Sequence, residues 1–210
     1  MFPPAGRVLP KTGFERQFFS ALQARGALEN ACVLDLFAGS GAYGFESLSR
    51  GALSLDLVDQ SQEAAKVIRK NLAANPVFKE AKLYGQSALA FLASRWVGAN
   101  PNPQWELVFI DPPYAMENAE ILKTLSNLHP LCDPDAWIVV ERSARDEAPE
   151  WDREFWEEQS QKIYGESIIY FLRPALKDVP ENATNLQEEK IVYVLFRVGQ
   201  RIKWQLAGIL

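Results

Sequence analysis

Two short segments of this 210-residue chain carry residue types that could do chemistry. The first is Val33-Leu34-Asp35-Leu36-Phe37-Ala38-Gly39-Ser40-Gly41-Ala42-Tyr43-Gly44, and the second is Asp111-Pro112-Pro113-Tyr114. In the first, an apolar run breaks into glycines spaced G-x-G-x-x-G, a pattern that lets a backbone turn sharply beside a nucleotide. Gly39 and Gly41 permit close approach to a ligand, and Gly44 permits a helix to pack on its strand. Asp35, inside the strand, is placed to accept from an ammonium. Asp59 closes the next apolar run. A carboxylate there offers two acceptor oxygens and no donor, which suits both hydroxyls of a ribose. The glycine spacing alone also fits a dinucleotide fold or an ordinary strand–helix turn, and Asp59 alone also fits a helix N-cap. Asp35, together with Phe37-Ala38 ahead of the glycines, turns the reading toward S-adenosylmethionine. The candidate cofactor residues are then Asp35, Phe37, Ala38, Gly39, Ser40, Gly41, Gly44, Asp59 and its neighbour Gln60.

Asp111-Pro112-Pro113-Tyr114 follows the apolar run Leu107-Val108-Phe109-Ile110. The exocyclic amine of guanine or adenine is a poor nucleophile, because its lone pair is delocalised into the ring. Acceptors at its hydrogens, the Asp111 carboxylate and the Pro112 carbonyl, would aim that lone pair and stabilise the charge that develops on nitrogen. Pro112 and Pro113 fix the backbone that presents the carbonyl. Tyr114 offers a face for stacking the base, worth roughly 1–3 kcal/mol. Two prolines after a strand also make a common turn. The glycine segment upstream is what turns the reading to methylation of a nucleobase amine. Such a base must be exposed or flipped out of its stack.

Those segments need strands to carry them. Ala31–Leu36 reads as a buried parallel strand, Leu53–Val58 as a second, Ala81–Tyr84 as a weaker third and Trp105–Ile110 as the strand that delivers Asp111. Helices are expected over about 14–25, from the glycine turn to about Arg50, over Ser61–Ala74 with Ala64, Val67, Ile68 and Leu72 inward, over Ser87–Trp96 and over Glu117–Leu128. Thr12-Gly13-Phe14-Glu15 has capping-box spacing ahead of the first helix. Residues 98–103 read as a loop. Ala136–Glu141 is a further strand, and Ile163 with Ser167–Leu172 forms a closing hairpin around Tyr164-Gly165-Glu166. Alternating strands and helices imply an α/β fold, a doubly wound, mostly parallel sheet with helices on both faces. The expected organisation is an N-terminal segment and helix (1–30), the sheet domain (31–173), and a linker and tail of uncertain structure (174–210).

Composition narrows the classes. With one histidine and two cysteines, no metal constellation or disulfide framework is expected. Cys32 reads as a buried thiol. No secretory leader is visible, and Ile191–Leu210 carries Arg197, Arg201 and Lys203, which makes it a poor membrane span. A cytoplasmic location without membrane contact is the expectation. The net charge of −5 argues against a nucleic-acid partner, but the distribution is uneven. Residues 1–25 carry Arg7, Lys11, Arg16 and Arg25 against Glu15 alone, and residues 190–203 carry Lys190, Arg197, Arg201 and Lys203 with no acid. Phosphate responds to the local field. These stretches read equally as solvated faces.

From about Leu9 to Arg173 the chain resembles the bacterial 16S ribosomal RNA guanine-N2 methyltransferases. The resemblance rests on Leu34-Asp35-Leu36-Phe37-Ala38-Gly39-Ser40-Gly41, on Gly44 with Glu46-Ser47-Leu48-Ser49-Arg50-Gly51-Ala52, and on Asp59 and Asn71-Leu72. It continues through Phe109-Ile110-Asp111-Pro112-Pro113-Tyr114 and Lys162-Ile163-Tyr164-Gly165. It implies a Rossmann-like class I methyltransferase fold, with a seven-stranded sheet whose last strand is reversed, and S-adenosylmethionine as methyl donor. It also implies small-subunit ribosomal RNA, or the assembling 30S particle, as partner. Ser87 stands where related methyltransferases often place an acid near the cofactor adenine. Only Met1–Val8 precede Leu9-Pro10, where the family usually has a longer basic hairpin. Leu9-Pro10-Lys11-Thr12-Gly13-Phe14 replaces the family's Arg-Pro-Thr-x-Asp-Arg. The tail beyond Arg173 has no assigned counterpart. Guanine-N2 methylation is the leading expectation. Adenine-N6 methylation of DNA or RNA uses the same tetrapeptide, and a non-catalytic RNA-binding or assembly protein could keep the same fold.

Overall fold

The computed structural model describes residues 13–95, 105–175, 191–198 and 201–209. The chain divides into two compact units, Met1–Ala175 and Leu176–Leu210. The elements of the first unit, in order, are α1 (Gly13–Ala24), β1 (Cys32–Asp35), α2 (Ala42–Ser49), β2 (Ser54–Val58), α3 (Gln62–Ala74), β3 (Ala81–Tyr84), α4 (Ala88–Arg95), β4 (Trp105–Ile110), α5 (Asn118–Leu128), β5 (Cys132–Ser143), β6 (Trp156–Tyr164) and β7 (Ser167–Pro174). Seven strands form one sheet in the order β3-β2-β1-β4-β5-β7-β6. The first five are parallel, and β7 enters antiparallel between β5 and β6.

Alternation along the strands feeds two cores. In β4, Leu107 and Phe109 join Phe18, Phe19 and Leu22 of α1, Phe45 and Leu48 of α2, and Ile68 of α3 on one face. Val108 and Ile110 point the other way, to Phe91 and Leu92 of α4 and Ile121, Leu125 and Leu128 of α5. Successive strand side chains face opposite sides of a sheet, so a run apolar at every position must be covered on both. Helices therefore lie on both faces, as alternation in the sequence implies.

Several details depart from the sequence reading. Cys32 is only partly buried, while Cys132 is buried. In α3 the buried residues are Ala65 and Ile68, and Val67 is 45% exposed. Ile68 is buried and Leu72 packs against the core as expected, so the departure is confined to Val67, with Ala65 buried in addition. β5 begins at Cys132, ahead of the expected Ala136. β6 begins at Trp156 rather than near Ile163. It is an edge strand whose polar residues tolerate solvent, so periodicity does not mark it. Gly165, at φ 61°, makes the expected turn into β7. The second unit contains a hairpin, β8 (Ile191–Val198) paired antiparallel with β9 (Arg201–Ile209). Thr12, Arg7, Lys11, the 98–103 loop and residues 176–189 of the expected linker lie outside the described residues. Among the described residues, no helix is long and apolar enough to cross a membrane.

Candidate active site at the carboxyl edge of the sheet

The order in which strands are added reverses between β1 and β4, which run parallel. The chain winds from β1 outward through β2 and β3, then returns to β4 and continues to β5. Crevices outside the carboxyl ends of strands at such a switch point are where α/β sheets bind ligands. Here the turn after β1, the end of β2 and the tetrapeptide after β4 converge on one cavity of about 630 Å3.

The turn after β1 is held by backbone bonds. Leu36 N–H donates to the Phe109 carbonyl (3.0 Å), Ala38 N–H to Val58 (3.0 Å) and Gly41 N–H to Ala38 (2.6 Å). Gly41 caps α2 at φ 79°, a left-handed conformation that favours glycine. At Gly44 a Cβ would sit 2.7 Å from Leu55 Cδ1 and 2.9 Å from Leu57 Cδ2, so glycine is what lets α2 lie this close to the sheet. Asn71 Nδ2 donates to the Ser40 carbonyl at 3.2 Å and ties the turn to α3.

Asp59, just beyond β2, is half-buried. Its Oδ2 accepts from Gly39 N–H at 2.8 Å and its Oδ1 from Ser61 N–H at 2.7 Å. The cap of α3 is Ser61, whose hydroxyl accepts from Ala64 N–H. Asp59 is therefore not the helix cap; it joins the glycine turn to the start of α3. Ser87 accepts from Ala90 N–H at 3.3 Å at the start of α4 and lines the cavity.

Asp35 is buried, and its Oδ2 accepts from Gly44 N–H at 3.1 Å. Burial raises its pKa to about 7. The Gly44 hydrogen bond works against that rise, and the charge of Asp59 adds to it. Asp111 is solvent-exposed where it opens on the cavity, while protein crowds it from behind. Burial, and then the charges of Glu141 and Asp35, raise its pKa to about 7 as well. Pro112 is buried, while Tyr114 stands 77% exposed at the mouth.

Of the residues singled out from the sequence, Phe37, Gly39, Asp59, Gln60, Ser87, Asp111, Pro112, Pro113 and Tyr114 line the cavity. Asp35, Ala38, Ser40, Gly41 and Gly44 are not among its lining residues and shape the turn behind it. Sequence reasoning missed Met116, Glu120 and Thr124, which complete the wall. It also missed Tyr43 and Glu141, joined at 2.6 Å behind Asp111. Tyr43 stood in view between Ala42 and Gly44, but Glu141 had no local signal. No lysine or arginine lines the cavity among the described residues, whereas Asp59, Asp111 and Glu120 do. Nor do the described residues bring three His, Cys, Asp or Glu side chains together in a group that could hold a metal.

A family model, conserved hypothetical protein 95, matches residues 7–173. The chain belongs to this family. It is similar to ribosomal RNA small subunit methyltransferase D of Escherichia coli (strain K12), 30% identical over 172 residues, which covers 82% of this chain and 69% of that protein. The Haemophilus influenzae protein of the same name is 36% identical over 109 residues, 51% of this chain and 54% of that one. The match thus spans about half the length of the Haemophilus relative. Among solved structures, yhhF of Escherichia coli superposes with a TM-score of 0.65 at 26% identity, over 84% of this chain and 92% of that one. SMU.776, solved in complex with SAH, has a TM-score of 0.62 at 10% identity over 77% of this chain and 50% of that one, which shows likeness of fold alone. The conserved hypothetical protein 95 domain here has the Rossmann-like methyltransferase fold, as the resemblance read from the sequence implied.

Proposed function

We propose that this protein transfers a methyl group from S-adenosylmethionine to the N2 amine of a guanine in small-subunit ribosomal RNA. One observation carries the reading: Asp59 and Asp111-Pro112-Pro113-Tyr114, drawn from two strand ends, open onto a single cavity. A cavity of this size is ordinary for a nucleoside-sized ligand. Its walls suit this donor in particular. Leu36, Phe37, Val58, Ala88 and Leu89 give apolar surface for a heterocycle. Three carboxylates with no facing lysine or arginine favour a ligand with net positive charge, which a sulfonium and an ammonium confer. The relatives' names, ribosomal RNA small subunit methyltransferase D, support the RNA class of substrate.

When bound, the donor supplies an electrophilic methyl group. Asp59 holds the ribose through lone pairs left after each oxygen accepts one backbone N–H. Asp35 fixes the start of α2 through Gly44 and sets the shape of the turn that faces the donor. At the other end, the Asp111 carboxylate and the Pro112 carbonyl accept from the amine hydrogens and orient the nitrogen lone pair. Tyr114 stacks the base at the mouth. A nitrogen that gains a methyl group must shed a proton, and a carboxylate with a pKa of about 7 is matched to take it at neutral pH. With ribosomal RNA as substrate, the protein works in the cytoplasm.

The test is methyl transfer from labelled S-adenosylmethionine to small ribosomal subunits from cells lacking this protein, with the product mapped by mass. N2-methylguanine at one position is the expected product. N6-methyladenine would replace the guanine reading. RNA binding without transfer, in protein that still binds the donor, would reduce the role to a non-catalytic one.

A further inference from the structure

Tyr43 and Glu141 form a half-buried polar pair that the proposed chemistry does not use. Tyr43, on α2, donates its hydroxyl to Glu141 Oε2 at 2.6 Å, a length typical of a charge-assisted bond. Tyr43 is fixed in turn by stacking on Phe109, with ring centroids 5.3 Å apart and planes at 28°. The β4–β5 ladder pairs Phe109 with Val139 and Ile110 with Val140. One step further along the same direction puts Asp111 beside Glu141. The two carboxylates also line one small cleft with Phe18, Tyr43 and Val139, too tight for a water molecule. The cleft lies on the protein side of Asp111, whose other side opens on the cavity, and like charges facing each other across protein interact more strongly than across solvent.

We propose that Glu141, held by Tyr43, is a positioning residue for Asp111, fixing the proton affinity with which Asp111 meets the target amine. Asp111 is faced by Asp35 from β1, Tyr43 from α2 and Glu141 from β5, with Asp59 and Glu120 in the walls of the cavity it opens on. Tyr43 stays a neutral phenol, because burial and Glu141 push its pKa well above the usual range. Its proton is therefore a permanent donor to Glu141, and it fixes that side chain in place beside Asp111. The consequence is a carboxylate whose proton affinity lies near neutrality, so that its ionised form can take the proton shed by the methylated nitrogen.

This rests on the proposed methyl transfer, so its primary test is independent of activity. The carboxyl carbon of Asp111 is followed by NMR across pH in the donor-free protein, with assignment from Asp111→Asn. In Glu141→Gln, a near-isosteric change that removes the charge, the Asp111 midpoint is expected to fall by about one pH unit, tenfold in proton affinity. Glu141→Asp, which keeps the charge, should restore most of it. Tyr43→Phe removes the donor, releases the Glu141 side chain from its fixed place and should shift Asp111 in the same direction as Glu141→Gln, which gives a second reading should the glutamine variant not fold. An Asp111 midpoint unmoved in Glu141→Gln, or in Tyr43→Phe if only that variant folds, overturns the inference. The pH profile of methyl transfer should then move with the NMR midpoint. If the NMR shift occurs but wild-type protein transfers no methyl group, the carboxylate coupling stands and the functional reading falls. Transfer by wild type with no NMR shift in the variants has the reverse meaning.

Discussion

Replacing Asp35 with asparagine should stabilise the protein at alkaline pH and leave it nearly unchanged in acid. Asp35 is 2% exposed, and its visible partner is the Gly44 N–H at 3.1 Å. Burial lifts its pKa from an ordinary 3.8 to about 7. The folded chain therefore holds a proton that the unfolded chain has already lost between about pH 4 and pH 7. Where the folded state binds more protons, stability declines as pH rises. The Asp35 contribution is whole below about pH 4 and lost above about pH 7. That interval corresponds to about 4 kcal/mol, reduced to roughly 2–4 kcal/mol once relaxation and water entry soften the burial. The asparagine side chain would keep an acceptor for Gly44 N–H and carry no charge to bury. Urea unfolding of wild type and Asp35→Asn at pH 5 and pH 8 measures the difference. The variant should be more stable by about 2–4 kcal/mol at pH 8 and by only about 1–2 kcal/mol at pH 5, where the unfolded chain has lost the proton but the folded chain still holds it. An equal gain at both pH values would refute the assignment of the titration to Asp35. A loss at both would mean that the amide cannot replace the carboxylate at the Gly44 N–H.

Four further outcomes follow from the site. Asp111→Asn should lower methyl transfer by about 10²–10⁴-fold while donor affinity, measured by calorimetry, stays near wild type. In the wild type, transfer should rise as pH passes about 7, because the raised pKa of Asp111 keeps it protonated, and unable to accept, below that point. A flat profile would remove Asp111 from the proton path. Asp59→Ala loses the carboxylate that joins Gly39 and Ser61, and should weaken donor binding by roughly 10–100-fold, as expected for losing hydrogen bonds to a charged acceptor. Unchanged affinity would take Asp59 out of the donor site. Gly44→Ala puts a Cβ 2.7 Å from Leu55 and should cost about 1–3 kcal/mol in thermal or urea unfolding, and an unaffected stability would mean that α2 moves freely off the sheet.

What the sequence revealed, and what it hid, divides by the range of the interactions involved. β4 was legible because Leu107, Val108, Phe109 and Ile110 are all apolar and all buried, the signature of a strand covered on both faces. The glycine turn and Asp59 were legible because their spacing is local. In α3 only Val67 was misjudged, since Ala65 is small enough to pack against the sheet where a branched side chain was expected. β6 was hidden because Glu157, Glu158, Ser160 and Lys162 give an edge strand the composition of a loop. The start of β5, Cys132-Asp133-Pro134-Asp135, carries turn residues and still joins the ladder opposite Trp105. In the site, Tyr43 and Glu141 lie 98 positions apart. No local pattern connects them; only the placement of β5 next to β4 does.

Of the cations that the sequence counted toward a nucleic-acid field, Arg25 is engaged inside the domain, where other arginines are paired as well. Arg25 donates to Ser160 and lies 4.6 Å over Phe171. Arg50 pairs with Glu46 at 2.6 Å, Arg142 with Asp146 at 3.0 Å, and Arg173 with Asp135 at 2.9 Å. The cavity itself is lined by acids. Such a site attracts a cationic donor and repels a phosphate backbone. On the proposed reading, a guanine cannot enter with its backbone; it must be turned out so that only the neutral base passes Tyr114 while its phosphates stay outside the acidic wall. Phosphate contacts, which dominate affinity for RNA, then belong to surfaces beyond the cavity, and exposed Arg16 on α1 is one cation placed to supply them. Binding and chemistry are thereby separated. A variant at Asp111 should leave RNA affinity and its salt dependence intact, whereas loss of an outer cation should reduce both without touching the rate of the bound complex.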